Sequence, residues 1–196
     1  MAQITCTVSD AIAEMVIDNP SKHNAMSLGM WTQLADTLDT LAPRQDVRVV
    51  VLRGAGAKAF VSGADISEFE AQRSSADGVA AYDAAVERAQ SALANFVRPV
   101  IAAIHGICYG GGMGLALACD LRLASHTARF RMPAARLGLG YAYPGVKRMV
   151  DLLGPTRAGE LIYTARVCDA QEALRLGLVG SLHDDVHAAA LALAAE

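Results

Sequence analysis

The sequence predicts an α/β fold built from successive ββα-like units, and three observations carry that prediction. Residues 47–52 and 99–104 are apolar runs rich in β-branched residues, the pattern of strands buried on both faces. Glycine-marked turns follow these runs, at Gly54, at Gly63 and across residues 106–114. Apolar residues at helical spacing come next in the chain. Strand, glycine turn and helix thus recur, although the sequence shows no internal repeat.

Taken in order, residues 4–8 alternate and residues 11–17 are mostly apolar, with Ser9 and Asp10 between them, which predicts a β-hairpin. Residues 19–24 form a polar loop. Ser27 then reads as an N-cap, Trp31, Leu34, Leu38 and Leu41 follow at helical spacing, and Pro43 ends the helix. The strand at 47–52 leads into Gly54-Ala-Gly-Ala-Lys-Ala59. This matches GxGxxA, but no helix opens there, so a plain turn is the better reading. Asp65 or Ser67 is placed to cap a short helix over 66–70. Val79, Tyr82, Val86, Leu93 and Phe96 mark a long amphipathic helix, and the strand at 99–104 runs into the glycine loop. Further strands are predicted at 120–124, 128–132 and 179–182, with an irregular stretch over 133–143. Helices are predicted at 144–153, 155–164 and 170–176, the last stopped by Gly177. An alanine-rich helix starts at His187 and meets no stop signal before Glu196.

A chain of 196 residues supports one sizeable core. With 53% hydrophobic and 19% charged residues it belongs among globular chains. A net charge of −3 with no basic block argues against nucleic acid as a partner. Four cysteines without CxxC spacing predict neither a zinc site nor a disulfide framework, so no metal is expected. A reducing cytoplasm is the default compartment. The N-terminus lacks a secretory pattern, and no apolar run approaches the ~20 residues of a membrane helix.

The loop Gly106-Ile-Cys-Tyr-Gly-Gly-Gly-Met-Gly114 is where chemistry is most legible. Consecutive glycines at a helix start leave N–H groups uncovered, and with the helix dipole they can hold a phosphate or the oxyanion of acyl chemistry. The plainer alternative is a tight turn that needs glycine. A hydrolase reading is also open: residues 106–110 match GxSxG with Cys108 as nucleophile, and Asp120 with His126, or Asp169 with His183, follow in the required order. Cys108 as a small core residue is the better reading, because the elbow leaves the glycine turn at Gly63 unexplained. Two N–H groups from separate turns, converging on one thioester oxygen, use both turns at once.

At this point the sequence resembles the crotonase superfamily, the enoyl-CoA hydratase/isomerase proteins. The resemblance rests on Asn19-Pro-Ser-Lys-His-Asn-Ala-Met26, on residues 49–54, on Ala59-Phe-Val-Ser-Gly-Ala-Asp-Ile66, on residues 99–106, and on Gly110-Gly-Gly112 running through to Asp120. Phe130, Pro133, Leu137-Gly138, Thr164 and residues 170–179 extend it over essentially the whole chain. It implies a crotonase-like ββα spiral over residues 1–186, with 187–196 beginning a C-terminal helical extension that is cut short. It also implies an acyl-CoA thioester substrate in which coenzyme A is part of the substrate and no separate cofactor is used.

By the same resemblance, the N–H groups of Ala64 and Gly111 are the oxyanion donors. Lys22, His23 and Ala25 fall near the coenzyme, and Ala64, Asp65 and Ile66 on its adenine and pantetheine side. Tyr109, Gly110, Gly111, Pro133, Ala134 and Leu137 fall around the acyl group. Family hydratases carry glutamates at the positions of Gly114 and Ala134, and neither of these side chains can move a proton. Tyr141 falls where members resembling methylmalonyl-CoA decarboxylase carry a tyrosine. The expectation is an acyl-CoA enzyme of the enoyl-CoA hydratase (lyase) group that stabilises a thioester enolate without the glutamate pair. Decarboxylation, isomerisation and thioester hydrolysis are the alternatives within that chemistry, and a non-catalytic acyl-CoA-binding protein is the alternative outside it. A full-length homotrimer or dimer of trimers, in the cytoplasm and off the membrane, completes the expectation.

Overall fold

The computed structural model describes residues 2–65, 67 and 75–196. Strands β1 (Gln3–Ser9) and β2 (Ile12–Asp18) form the expected hairpin, with Asp10 and Ala11 both at positive φ in its turn. Helix α1 (Leu28–Leu41) is capped by Ser27, whose hydroxyl accepts the N–H of Met30 at 3.2 Å. Strand β3 (Val49–Gly54) and strand β4 (Ala59–Val61) are joined by the turn that carries GxGxxA, so that motif opens no helix. The helix expected over 66–70 falls almost wholly outside the described residues. Helix α2 (Ala76–Ala94), strand β5 (Val100–Ile104), strand β6 (Ile107–Tyr109) and helix α3 (Gly111–Ala118) follow. The glycine loop therefore contains a short strand that its composition concealed.

The second half continues with β7 (Leu121–Ser125), β8 (Arg129–Arg131) and a 3-10 turn at Ala134–Leu137. Helices α4 (Tyr143–Leu153) and α5 (Pro155–Thr164) lie either side of Gly154. Strand β9 (Cys168–Asp169), helix α6 (Ala170–Leu176), strand β10 (Ser181–His183) and helix α7 (Val186–Ala194) complete the chain.

From β3 to β8, consecutive strands alternate between two sheets. The larger has the order β1-β2-β3-β5-β7-β10, antiparallel at β1-β2 and parallel elsewhere. The smaller has the order β4-β6-β8-β9, parallel except at β8-β9. After the β1-β2 hairpin, the units β3-β4, β5-β6 and β7-β8 each give one strand to each sheet before a helix returns, which is the predicted ββα spiral. The main core lies between the larger sheet and helices α1 to α3, filled by Trp31, Leu34, Leu52, Phe60 and Leu93 among others. On the sheet's opposite face, Val186 and Ala190 of α7 pack against Val49, Val51, Ile101 and Leu123. Because parallel strands run in register, the ends of β4 and β6 arrive side by side. That adjacency brings the two glycine turns together.

Candidate active site

The first turn is held from below by the loop 19–26. Asn24 is 1% exposed and adopts φ 56°, in the left-handed region that asparagine tolerates. Its amide donates to Ala59 O at 2.7 Å and Ala55 O at 2.9 Å, and its Oδ1 accepts Asn19 N at 3.0 Å. This brace sets Met26 against Ala64 in a parallel bridge: Met26 N donates to Gly63 O at 2.8 Å and Asp65 N to Met26 O at 2.9 Å. The bridge uses the carbonyl of Gly63 and the N–H of Asp65. Ala64's own N–H therefore points away from Met26.

The second turn is Gly110-Gly111. Gly110 sits at φ 50°, and its N–H donates to Arg131 O at 3.0 Å. Gly111 opens α3, whose first intrahelical bond runs from Gly114 N to Gly110 O at 3.1 Å. The Gly111 N–H precedes that bond and is unclaimed by the helix. The turns touch: a Cβ on Gly63 would lie 3.9 Å from Gly111 N, and one on Gly110 would lie 4.0 Å from Gly63 Cα. Both border a cavity of about 920 Å³ that includes Gly63, Ala64, Gly110 and Gly111 in its lining.

Pro133, Ala134, Leu137 and Tyr141 line the same cavity. Tyr109 is absent from that lining: it ends β6, and its carbonyl oxygen lies 3.6 Å from a Cβ placed on Gly63. Among the lining residues that the sequence did not assign to the site are Trp31, Gln90 and Arg148. Trp31 of α1 lies against Gly111, its Cζ2 3.0 Å from the position of a Cβ there, and its Nε1 donates to Tyr82 Oη at 3.0 Å. Gln90 of α2 is 8% exposed, and Arg148 comes from α4. Gln90 had looked like one more polar position on an amphipathic helix, and only tertiary packing shows it buried.

A side chain at position 114 would have to shift the ends of two others. A Cβ on Gly114 would meet the Gln90 amide nitrogen and lie 2.8 Å from Tyr141 Oη. Tyr141 donates to Gly110 O at 3.3 Å and pairs with the Gln90 carboxamide. Burial pushes its phenol up to about 12, against the pull of Gln90 and Arg148, so it stays protonated at neutral pH and serves as a hydrogen-bond donor, not a base. Asp83 and Glu87, also on the cavity lining, are exposed.

Lys22, His23, Ala25 and Asp65 lie beside the first turn and outside the large cavity. Lys22 Nζ reaches Asp65 Oδ2 at 2.8 Å and Ser67 Oγ at 2.7 Å, and Asp65 Oδ1 accepts Ser67 N at 3.1 Å. Burial alone would raise the Asp65 carboxyl. The hydrogen bonds from Lys22 and Ser67 outweigh it and hold the group below the usual carboxylate range. His23 borders a smaller cavity of about 350 Å³ with Lys58. Ala25 is 7% exposed, and its carbonyl accepts Asn19 Nδ2 at 2.9 Å. Ile66 lies outside the described residues.

The cysteine-elbow reading finds no support. Cys108 is fully buried in β6, and burial pushes its thiol far above the ordinary range. Its candidate partners are engaged elsewhere. Asp120 accepts Val100 N at 2.7 Å, and Asp169 caps α6 by accepting Glu172 N at 2.8 Å. His126 faces Asp184 at 3.7 Å, and His183 bonds Ser181 at 2.8 Å.

The chain matches the family model described as Enoyl-CoA hydratase/isomerase over residues 7–196. It is 34% identical over 173 residues to a protein named crotonyl-CoA hydratase from Syntrophomonas wolfei, covering 88% of this chain and 66% of that one. It is 32% identical over 198 residues to the mitochondrial Delta(3,5)-Delta(2,4)-dienoyl-CoA isomerase of Mus musculus, covering 94% of this chain and 60% of that one. The crystal structure of an enoyl-CoA hydratase/carnithine racemase from Magnetospirillum magneticum matches with a TM-score of 0.93 at 38% identity, over 100% of this chain and 73% of that one. The chain spans about two thirds of the length of the curated relatives it matches.

Proposed function

Because the chain belongs to the enoyl-CoA hydratase/isomerase family, we propose that it binds an acyl-CoA thioester in the 920 Å³ cavity and holds the thioester enolate on the N–H groups of Ala64 and Gly111. The observation that carries this reading is the contact between the two glycine turns at one cavity wall. Charge develops on the thioester oxygen as the enolate forms. Fixed N–H donors in a partly dry site stabilise that charge without reorganising, and one such donor is typically worth ~10²–10³ in rate. Coenzyme A enters as part of the substrate, with Lys22, His23, Ala25, Asp65 and Ile66 assigned to it by the family resemblance alone.

Gly114 and Ala134 put no carboxylate beside the acyl group. Water addition needs a positioned acid and base, each typically worth ~10²–10⁴. Asp83 and Glu87 sit on the exposed part of α2, while the buried floor holds Gln90 and Tyr141. The cavity therefore suits reactions whose enolate needs no protein base better than it suits hydration. Decarboxylation meets that condition most simply. Isomerisation and thioester hydrolysis stand behind it, and acyl-CoA binding without turnover is the reading of another class.

A panel of acyl-CoA thioesters, scored for binding and turnover by mass spectrometry, tests the proposal. The expected result is turnover of at least one thioester with slow or no hydration of crotonyl-CoA. Rapid hydration would overturn the glutamate-free part. Failure of every thioester to bind would overturn the whole.

A further inference from the structure

The two glycine turns touch, yet among the described residues no hydrogen bond joins Gly63 or Ala64 to Gly110 or Gly111. The β4-β6 pairing that brings them together ends at Val61 and Cys108. Packing must therefore set the gap between their N–H groups. One short stretch of chain meets both turns. Met26 braces the first, donating to Gly63 O at 2.8 Å and accepting Asp65 N at 2.9 Å. Ser27 then caps α1, and Trp31 N donates to Ser27 O at 3.1 Å, closing the first helical turn. Within that turn the chain has reached Gly111. Trp31 Cζ2 and Cη2 lie 3.0 and 3.3 Å from the position of a Cβ there, so the indole fills the space a side chain would take. The ring is 1% exposed and still borders the cavity. Its far end is tied down as well. Indole Nε1 is a donor only, and Tyr82 Oη of α2 accepts it at 3.0 Å. Tyr82 is 6% exposed. Packing alone needs only a side chain of the right volume at position 31, whereas this hydrogen bond also fixes how the ring is turned.

We infer that Trp31 is a positioning residue for the oxyanion donors. The stretch from Met26 to Trp31 acts as a spacer between the two glycine turns, and the indole, pinned by Tyr82, sets where the Gly111 N–H stands relative to that of Ala64. The inference rests on the thioester reading above and deepens it. The residue acts through Gly111 and donates nothing to the substrate itself.

The test is the carbonyl stretch of ¹³C-labelled butyryl-CoA bound to the whole chain, compared in the parent, Tyr82→Phe and Trp31→Phe. Tyr82→Phe keeps the ring and removes only the acceptor. Trp31→Phe removes the N–H and the atoms that meet Gly111. Calorimetry sets saturation, and thermal melts confirm that each variant is folded. Tyr82→Phe should weaken butyryl-CoA by no more than roughly tenfold, the worth of one neutral hydrogen bond, so its complex can still be saturated. The carbonyl band should nevertheless lose part of the parent's shift in Tyr82→Phe and more of it in Trp31→Phe. A merely structural role would lower Tm and leave the band of the saturated complex where it was. Bands that keep the parent's full shift in both variants overturn the positioning role and leave the oxyanion reading standing. A band that moves in Trp31→Phe alone overturns the Tyr82 pin. A parent that shows no shift, or does not bind butyryl-CoA, overturns the thioester reading and this inference with it.

Discussion

Gly112→Ala isolates the contact on which the two-turn arrangement depends. Gly112 is the point where α3 crosses β4, directly beside the Gly110-Gly111 turn. A Cβ there would collide with the Val61 carbonyl oxygen and lie 2.8 Å from Val61 Cβ and 3.0 Å from Val61 C. Backbone supplies two of those contacts, so no side-chain rotation relieves them. Ordinary contact would require α3 to retreat by about an ångström in a close-packed interior. Overpacking of this kind costs about 1–3 kcal/mol. At this chain length each kcal/mol lowers Tm by ~2–4 °C, giving a drop on the order of 5 °C. The same retreat moves Gly111 N away from Ala64, and misplacement by ~1 Å costs ~10²-fold, so turnover of a thioester substrate should fall by up to roughly 10²-fold. Gly29→Ala is the control: Gly29 is exposed in α1 and its nearest neighbour would be Ser27 Oγ at 3.8 Å, so Tm should hold or rise slightly. Calorimetric melting with a turnover assay reads both effects. A Gly112→Ala protein that melts and turns over like the parent would refute the close-crossing argument.

Cys108→Ala should lower stability by ~1 kcal/mol through lost packing and leave turnover unchanged, and the native protein's Cys108 should resist alkylation at neutral pH. A covalent acyl adduct on Cys108 would revive the hydrolase reading. Gly114→Glu should lower Tm without raising crotonyl-CoA hydration, because the new side chain must displace Gln90 and press on Tyr141; a clear gain in hydration would show the floor to be yielding. The Asp65 carboxyl is held below its unfolded value of ~3.9, so its contribution is complete above that value and is lost as pH falls through the lower folded value. Urea unfolding near neutral pH and near pH 3 should therefore differ less in Lys22→Met than in the parent. The difference should be only ~0–1 kcal/mol, since Lys22 is about half exposed. An unchanged pH dependence would remove Lys22 from the cause.

The hairpin, the Ser27 cap and the α1 spacing were legible because local chemistry decides them. The two glycine turns were legible for the same reason, since few residues tolerate the backbone at Gly63 or Gly110. Strand β6 was hidden because three residues between glycines carry no periodicity, and only parallel pairing with β4 and β8 defines it. Strand β9 is two residues long and exists by its pairing with β8. Gln90 was missed because helical spacing weighs apolar positions, and a polar residue three before Leu93 reads as solvent-facing until the loop ahead of α4 delivers Tyr141 against it. The GxGxxA match shows the reverse case, where local pattern suggested chemistry and the following strand decided against it.

The account turns on two backbone N–H groups gripping one thioester oxygen, and the stretching frequency of that carbonyl is the direct observable. Butyryl-CoA labelled with ¹³C at the thioester carbon, bound at saturation, isolates the band by isotope-edited infrared difference spectroscopy. Trp31, the chain's one tryptophan, lies against Gly111 and reports saturation by its fluorescence. The account predicts a carbonyl band shifted to lower frequency in the parent and largely restored in Gly111→Pro. That substitution removes one N–H at the first helical position, where proline's φ fits and the Trp31 ring must shift by roughly a few tenths of an ångström to admit the new Cβ. A saturated complex whose carbonyl band matches that of the free thioester, in parent and variant alike, would contradict it.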